Sequence, residues 1–152
     1  MKSPTSIFVD DSLWPLVTGR FVGTPSLPEF AAYLDLRLRL LRRGPHVAAV
    51  DLNRAGVNTG EQRQCMAAWM GQHEELMRER LLGTAYAINS DSVRLTLSII
   101  FHLRPPVTPY VMLSQMPQAV EWALRKLEEA GQSEVSQHIR HQSGLGVESQ
   151  PG

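Results

Sequence analysis

Apolar and polar residues follow two different spacings along the chain, and each spacing predicts one type of secondary structure. Windows in which apolar residues recur every three or four positions predict amphipathic helices, and they cover residues 26–43, 59–80, 90–103 and 116–130. Short runs rich in β-branched and aromatic residues predict strands, and they cover residues 6–9, 14–22, 46–52, 83–89 and 108–113. The predicted order of elements is therefore β-β-α-β-α-β-α-β-α.

This alternation of strands and helices is typical of an α/β domain with a mixed, mainly parallel sheet on which the helices pack. The run His46–Leu52 is almost continuously apolar, which favours a strand buried on both faces. One of the first two strands is expected at an antiparallel edge, with a turn at residues 10–12. The domain is predicted to span residues 1–131, and 132–152 is predicted to be a flexible polar tail with a helical segment near 134–142.

Three of the predicted helices begin at residues that accept hydrogen bonds from free backbone N–H groups. Ser26 with Glu29, and Thr59 with Gln62, have the three-residue spacing of a capping box. Ser90 precedes the third helix and is predicted to be its N-cap. These residues place a polar loop between the strand that ends near Asp51-Leu52 and the helix that starts after Thr59.

The composition argues against several classes of protein. Lys plus Arg (15) equals Asp plus Glu (15), so the chain lacks the basic excess that is usual in nucleic-acid-binding proteins. No apolar run approaches the roughly 18 residues of a membrane-spanning helix, and no signal peptide is expected at the start. Cys65 is the single cysteine, so an intrachain disulfide is impossible. We expect a protein of the cytoplasm that is not transmembrane.

The chain lacks the sequence motifs of common enzymes. Neither GxxxxGK[ST] nor GxGxxG occurs, so no phosphate-cradling loop is predicted, and GxSxG is absent as well. No cofactor, metal site or catalytic residue is therefore predicted. Asp51, at the carboxyl end of a buried strand, is the acid that an enzyme would use first, as a base, a metal ligand or a neighbour of a phosphate site. It is equally suited to accept backbone N–H bonds and shape the next loop.

Two other groups of residues have alternative interpretations. The arginines of the first helix suit a solvated face, or alternatively a patch for lipid head groups or an acidic partner; they are Arg37, Arg39, Arg42 and Arg43. Trp69, Met70 and Met77 are compatible with a homodimer interface, although burial in the core explains them equally well. Thr59 lies at a helix start, where a phosphate would be stabilised, but N-capping alone also accounts for it.

The order of elements over residues 6–130 resembles the STAS fold of bacterial anti-sigma-factor antagonists and their SpoIIAA-like relatives. The resemblance rests on three features: the buried strand ending in Asp51-Leu52, the segment 89–94 that opens the third helix, and Ala119 with Trp122-Ala123-Leu124 on the last helix. It is closest to the SpoIIAA-like subgroup, whose description overlaps with that of CRAL-TRIO lipid-binding domains.

The antagonists carry a D-S-[ST]-G-type motif with a phosphorylated serine at the start of helix two. This chain has Val57-Asn58-Thr59-Gly60 in its place. Asn58 stands where the serine would be and cannot accept a phosphate, so the usual phosphoswitch is not expected. Only Thr59 keeps a hydroxyl that a kinase could modify.

The resemblance implies a non-enzymatic, regulatory protein-interaction module in a bacterial cytoplasm. Its partner would be a regulatory protein of the anti-sigma or kinase-like kind. The expected contact surface is the loop after the Asp51 strand together with the exposed side of the second helix. The expected contact residues are Asp51, Asn53, Arg54, Asn58, Thr59 and Ser90. The overlap with CRAL-TRIO domains gives the alternative of a site for a lipid or a small apolar ligand, and a homodimer is also compatible with the sequence.

Overall fold

Over residues 6–143, five strands form one sheet in which each strand lies beside its neighbours in the sequence. The computed structural model describes residues 6–143. Its strands are β1 (Ile7–Leu13), β2 (Leu16–Gly23), β3 (His46–Ala55), β4 (Leu81–Ala87) and β5 (Tyr110–Leu113). β1 pairs with β2 in antiparallel fashion, and the pairs from β2 to β5 are parallel. The mixed, mainly parallel sheet with an antiparallel edge strand confirms the predicted fold class.

Helices cover the two faces of the sheet unequally. Within the described part of the chain they are α1 (Leu27–Arg43), α2 (Gly60–Gln72), α3 (Glu74–Arg80), α4 (Asp91–Leu103), α5 (Met116–Glu129) and α6 (Ser133–Ser143). One hydrophobic cluster joins α1 to α4 with one face of the sheet, and a second joins α5 and α6 with the other face. Because the strand order always advances in one direction, right-handed crossovers place α1 to α4 on the same face.

The predicted helix starts agree with the structure. Ser26 and Thr59 each form a capping box, with Glu29 and Gln62 respectively. The hydroxyl of Ser90 accepts a hydrogen bond from the N–H of Val93 at the start of α4. Such caps satisfy N–H groups that have no partner within the helix, which is why short polar motifs predict these boundaries.

Two predicted boundaries are wrong. Residues 10–12 belong to β1, and the hairpin turns at Trp14-Pro15 instead. The ring of Trp14 packs there between the guanidinium of Arg43, 4.2 Å away, and the ring of His46, 5.0 Å away. The helix predicted over 59–80 is divided into α2 and α3 at His73, whose φ of −114° and ψ of 23° lie outside the helical range.

The prediction of a flexible tail from residue 132 is wrong for residues 133–143. α6 occupies this segment, in agreement with the helical part of the prediction, and packs on α5. Ile139 is buried, and the hydroxyl of Ser136 donates to the carbonyl oxygen of Leu124 at 3.3 Å. Arg140 forms ion pairs with Glu121 and Glu128. The packed unit therefore continues through Ser143, and the tail predicted beyond it lies outside the described residues.

Candidate functional site

The six residues predicted to contact a partner lie at one edge of the sheet, where the parallel strands β3, β4 and β5 end. They are Asp51, Asn53, Arg54, Asn58, Thr59 and Ser90. Five of them come from the end of β3 and the loop before α2, and Ser90 lies in the connection that follows β4. The carboxyl edge of a parallel sheet is the usual place for a binding crevice.

Asp51 and Asn53 stabilise the end of β3. The Oδ1 atom of Asp51 accepts the backbone N–H of Asn53 at 3.0 Å. The side-chain amide of Asn53 donates to the carbonyl oxygen of Ser114 at 3.2 Å and so links β3 to the loop before α5. Of the roles considered for Asp51, its contacts support the backbone acceptor that shapes the loop.

Thr59 is the N-cap of α2 and forms a capping box with Gln62. Its Oγ1 atom accepts the N–H of Gln62 at 3.1 Å, and the Gln62 side-chain oxygen accepts the N–H of Thr59 at 3.2 Å. The buried amide of Gln62 also donates to the carbonyl oxygen of Pro25 at 2.6 Å. The backbone carbonyl of Asn58 accepts a bond from Arg63, also at 2.6 Å. The start of α2 is therefore tied to the loop before it and, through Gln62, to the connection between β2 and α1.

An exposed apolar stripe on α4 was missed by the sequence interpretation. Leu95, Ile99 and Leu103 are spaced four residues apart and expose 62%, 38% and 43% of their surfaces. Val93, Leu97 and Ile100 form the buried face of this helix. The sequence signal for this stripe is a second row of apolar residues at positions i, i+4 and i+8, next to the row that forms the buried face.

A cavity lies between the sheet and the helices α1, α2 and α4. Its volume is about 80 Å³. Apolar and hydroxyl-bearing side chains line its interior, among them Phe30, Val50, Met66, Thr84, Tyr86 and Ile100. It extends to Gly56 and Asn58, so its outer end lies at the loop before α2. Two smaller cavities of about 40 Å³ and 20 Å³ lie on the same side of the sheet.

Arg37 does not belong to a solvated face, in contrast to the expectation for the arginines of α1. It is half-buried and lines all three cavities. Its guanidinium carbon lies 4.7 Å from the ring centroid of Trp69 and 5.9 Å from that of Tyr33. Burial raises the pKa of Tyr86, which lines the same cavity, to about 12, against an opposing effect of Arg37. The Tyr86 phenol is therefore neutral and able to donate a hydrogen bond.

The large side chains considered for a homodimer interface are in the core. Trp69, Met70 and Met77 are only 7%, 5% and 4% exposed and join the cluster beneath α1 to α4. These three side chains are therefore not available for contact with a second copy of the chain. Burial in the core is the alternative that the structure supports for these residues.

Within residues 6–143, no three His, Cys, Asp or Glu side chains are grouped closely enough to hold a metal ion. Over the same residues, no helix combines the length and apolar character needed to cross a membrane.

Comparison with family models and with curated proteins gives no match. Among solved structures, the chain is similar to an uncharacterized protein of the DUF3478 family from Shewanella loihica, which is described as having a SpoIIAA-like fold. The TM-score is 0.57 at 13% sequence identity, and the match covers 81% of this chain and 98% of that chain. The chain has a SpoIIAA-like fold. This confirms the fold expected from the resemblance, and at such low identity the likeness concerns the fold alone.

Proposed function

We propose that this chain is a non-catalytic regulatory module that binds a protein partner through one continuous surface. This partner surface consists of Asn53 and Arg54 at the end of β3, the loop residues Val57, Asn58 and Thr59, and Leu95, Ile99 and Leu103 of α4. The observation that carries the proposal is the exposed stripe on α4. Single exposed apolar residues are common, but a contiguous row of large ones is typical of an interaction site.

The loop supplies a polar border near the N-terminal half of α4. Asn58 lines the cavity together with Val93 and Thr96 of α4, so the loop lies beside the first half of that helix. Asn53, Arg54 and Thr59 are exposed, and Val57 exposes 48% of its surface. An apolar centre with a polar rim is the usual anatomy of a protein–protein interface. The engagement of Asp51 with a backbone N–H supports a non-catalytic role for that carboxylate.

Photo-crosslinking tests this proposal. A photoreactive residue placed at Leu95 is expected to capture a discrete protein in a native extract, whereas the same residue at exposed Glu134 of α6 is not. Leu95→Asp should abolish capture from position 99, and the matched control Ser98→Asp on the same helix should not. Equal capture from positions 95 and 134 would contradict the proposed surface.

A second experiment tests the loop. The partner identified by crosslinking is recovered with the wild type and with a variant in which Asn53, Arg54 and Asn58 are all alanine. We expect lower recovery with the variant, because the polar border is removed. Unchanged recovery would show that the loop does not contribute to partner binding, and the α4 stripe would remain as the proposed contact. Light scattering of the wild type and of Leu95→Asp shows whether the captured partner is a second copy of the chain.

The cavity beneath α1, α2 and α4 favours a second candidate function, the binding of a small apolar ligand. Its walls are mainly apolar and it reaches the partly exposed residues Gly56 and Asn58. The volume of about 80 Å³ is well below the roughly 300 Å³ or more of a typical ligand site. Only a small or slender ligand fits without rearrangement. Titration with 1-octanol tests this candidate, and an absence of binding would contradict it.

A further inference from the structure

Arg37 is a half-buried cation at a mainly apolar site, and the described part of the chain offers it no anion. None of the salt bridges within residues 6–143 includes it. Over the same residues, the one side-chain contact of its guanidinium with a hydrogen-bond acceptor is Nη1 to the sulfur of Met66 at 3.9 Å. By contrast, Arg43 on the same helix pairs with Asp11 at 3.0 Å. A partly desolvated cation normally has a charged partner, because burial of an unpaired charge is costly.

The aromatic contacts of Arg37 compensate this cost only in part. Its guanidinium lies over the face of Trp69 and near Tyr33, and cation–π contacts of this kind are worth about 0.5–2 kcal/mol. The planar donors of a guanidinium remain available for a carboxylate, which accepts two parallel hydrogen bonds from them. Tyr86 and Thr84 line the same cavity and carry further hydroxyl groups for an anion.

We propose that the cavity binds a small amphipathic carboxylate, with its carboxylate on Arg37 and its hydrocarbon chain along the apolar walls. This inference rests on the second candidate function and names the chemical class of its ligand. Arg37 lines the cavities of about 80, 40 and 20 Å³ alike, so its side chain lies where the three approach one another. A rotation of Arg37 toward a ligand carboxylate would join them into a longer channel.

The available volume limits the length of the ligand. An apolar cavity of about 150 Å³ accommodates a molecule the size of benzene. The three cavities together are of similar size, so about six carbon atoms of a single chain fit inside them. The remainder of an eight-carbon chain would lie at the open end near Gly56 and Asn58, and a two-chain phospholipid does not fit. Octanoate is therefore the probe, and 1-octanol is the matched neutral compound with the same chain length.

Calorimetric titration of the wild-type protein with the two compounds tests the assignment without any variant. Octanoate is expected to bind about tenfold more tightly or better, the usual worth of a hydrogen bond to a charged group. Arg37→Met should remove this preference, so that the two compounds bind with equal affinity, and Arg37→Lys should keep part of it. Arg39→Met, at an exposed position of α1, is the control and should bind both compounds like the wild type.

The outcomes separate this inference from the function on which it rests. Equal affinities of the wild type for the two compounds, or a preference that persists in Arg37→Met, would overturn the carboxylate assignment and leave an apolar site. Binding of neither compound would overturn both. Trp69 gives an independent readout, because withdrawal of the guanidinium from its ring should change its fluorescence. That change should be absent in Trp69→Phe and should not occur with 1-octanol.

Discussion

The backbone of Gly56 lies against Thr24 so closely that a Cβ atom at Gly56 would be 3.0 Å from the Thr24 backbone nitrogen, and closer still to its hydroxyl. The N–H of Gly56 also donates to the carbonyl of Gly23 at 2.9 Å. Together these contacts fix the loop before α2 to the connection between β2 and α1. A side chain at position 56 would require the backbone on one side to move.

We therefore expect Gly56→Ala to lower the free energy of unfolding by about 1–3 kcal/mol, the usual cost of overpacking. Gly60→Ala is the matched control, because a Cβ there would meet only the flexible guanidinium of Arg63 at 3.6 Å. Alanine at this first helical position should leave stability unchanged or raise it by up to about 1 kcal/mol. Urea unfolding measures both, and equal effects of the two substitutions would contradict the proposed close approach.

Thr59 allows the structural and functional roles of the loop to be separated. Thr59→Ala removes the N-cap of α2 and should lower the free energy of unfolding by about 1 kcal/mol, whereas Thr59→Ser retains the acceptor and should not. If the hydroxyl serves only the helix, both variants should bind the crosslinked partner like the wild type. If the partner binds Thr59→Ser but does not bind folded Thr59→Ala, the partner contacts the hydroxyl directly.

The helix starts and the sheet could be predicted because local features determine them. Capping boxes and the apolar run of β3 depend on near neighbours in sequence. The position of Arg37 could not be predicted from near neighbours alone. Arg37 lies three residues after Leu34 and four before Leu41, on the buried stripe of α1. Its spacing was thus a core signal, but its charge suggested solvent. The contact with Trp69 that accounts for its position joins α1 to α2 and has no local signal.

The helix α6 illustrates the same limit for a polar segment. Its Ser136 and Arg140 bond to α5 residues 8 to 19 positions away in sequence. The pKa of Glu121 is lowered mainly by its hydrogen bond from Arg140, and Arg125 contributes to the same effect. The partial burial of Glu121 acts in the opposite direction. A mostly polar sequence suggested a tail, because the partners of these groups are not evident from composition. The apolar contribution is concentrated in Ile139, which is 1% exposed.

Ile139→Ala should therefore lower the free energy of unfolding by about 2 kcal/mol or more, as is usual for truncation of a buried aliphatic side chain. His138→Ala changes an exposed neighbour on the same helix and is expected to have little effect. Hydrogen exchange should show faster exchange of the α6 amides in Ile139→Ala. Unchanged exchange there would mean that α6 does not depend on this contact.

Stability should also depend on pH through His46. The pKa of His46 is lowered below its ordinary value, mainly because the ring is buried. The hydrogen bond between Nδ1 and the Gly44 carbonyl, 3.0 Å long, opposes this shift, whereas the positive charge of Arg37 adds to it. In the unfolded chain a histidine titrates near its ordinary pKa of about 6.5. Below that pH the unfolded state binds more protons than the folded state, so the free energy of unfolding falls as the pH decreases.

We expect urea unfolding of the wild type to show this loss between about pH 7.5 and pH 5.5, where carboxylates with ordinary or lowered pKa values stay ionised. His46→Asn keeps a side-chain donor near the Gly44 carbonyl but has no titrating ring, so its stability should change less over the same interval. His102→Asn is the exposed control and should retain the wild-type pH dependence. If His46→Asn lost as much stability as the wild type, another group would have to account for the pH dependence.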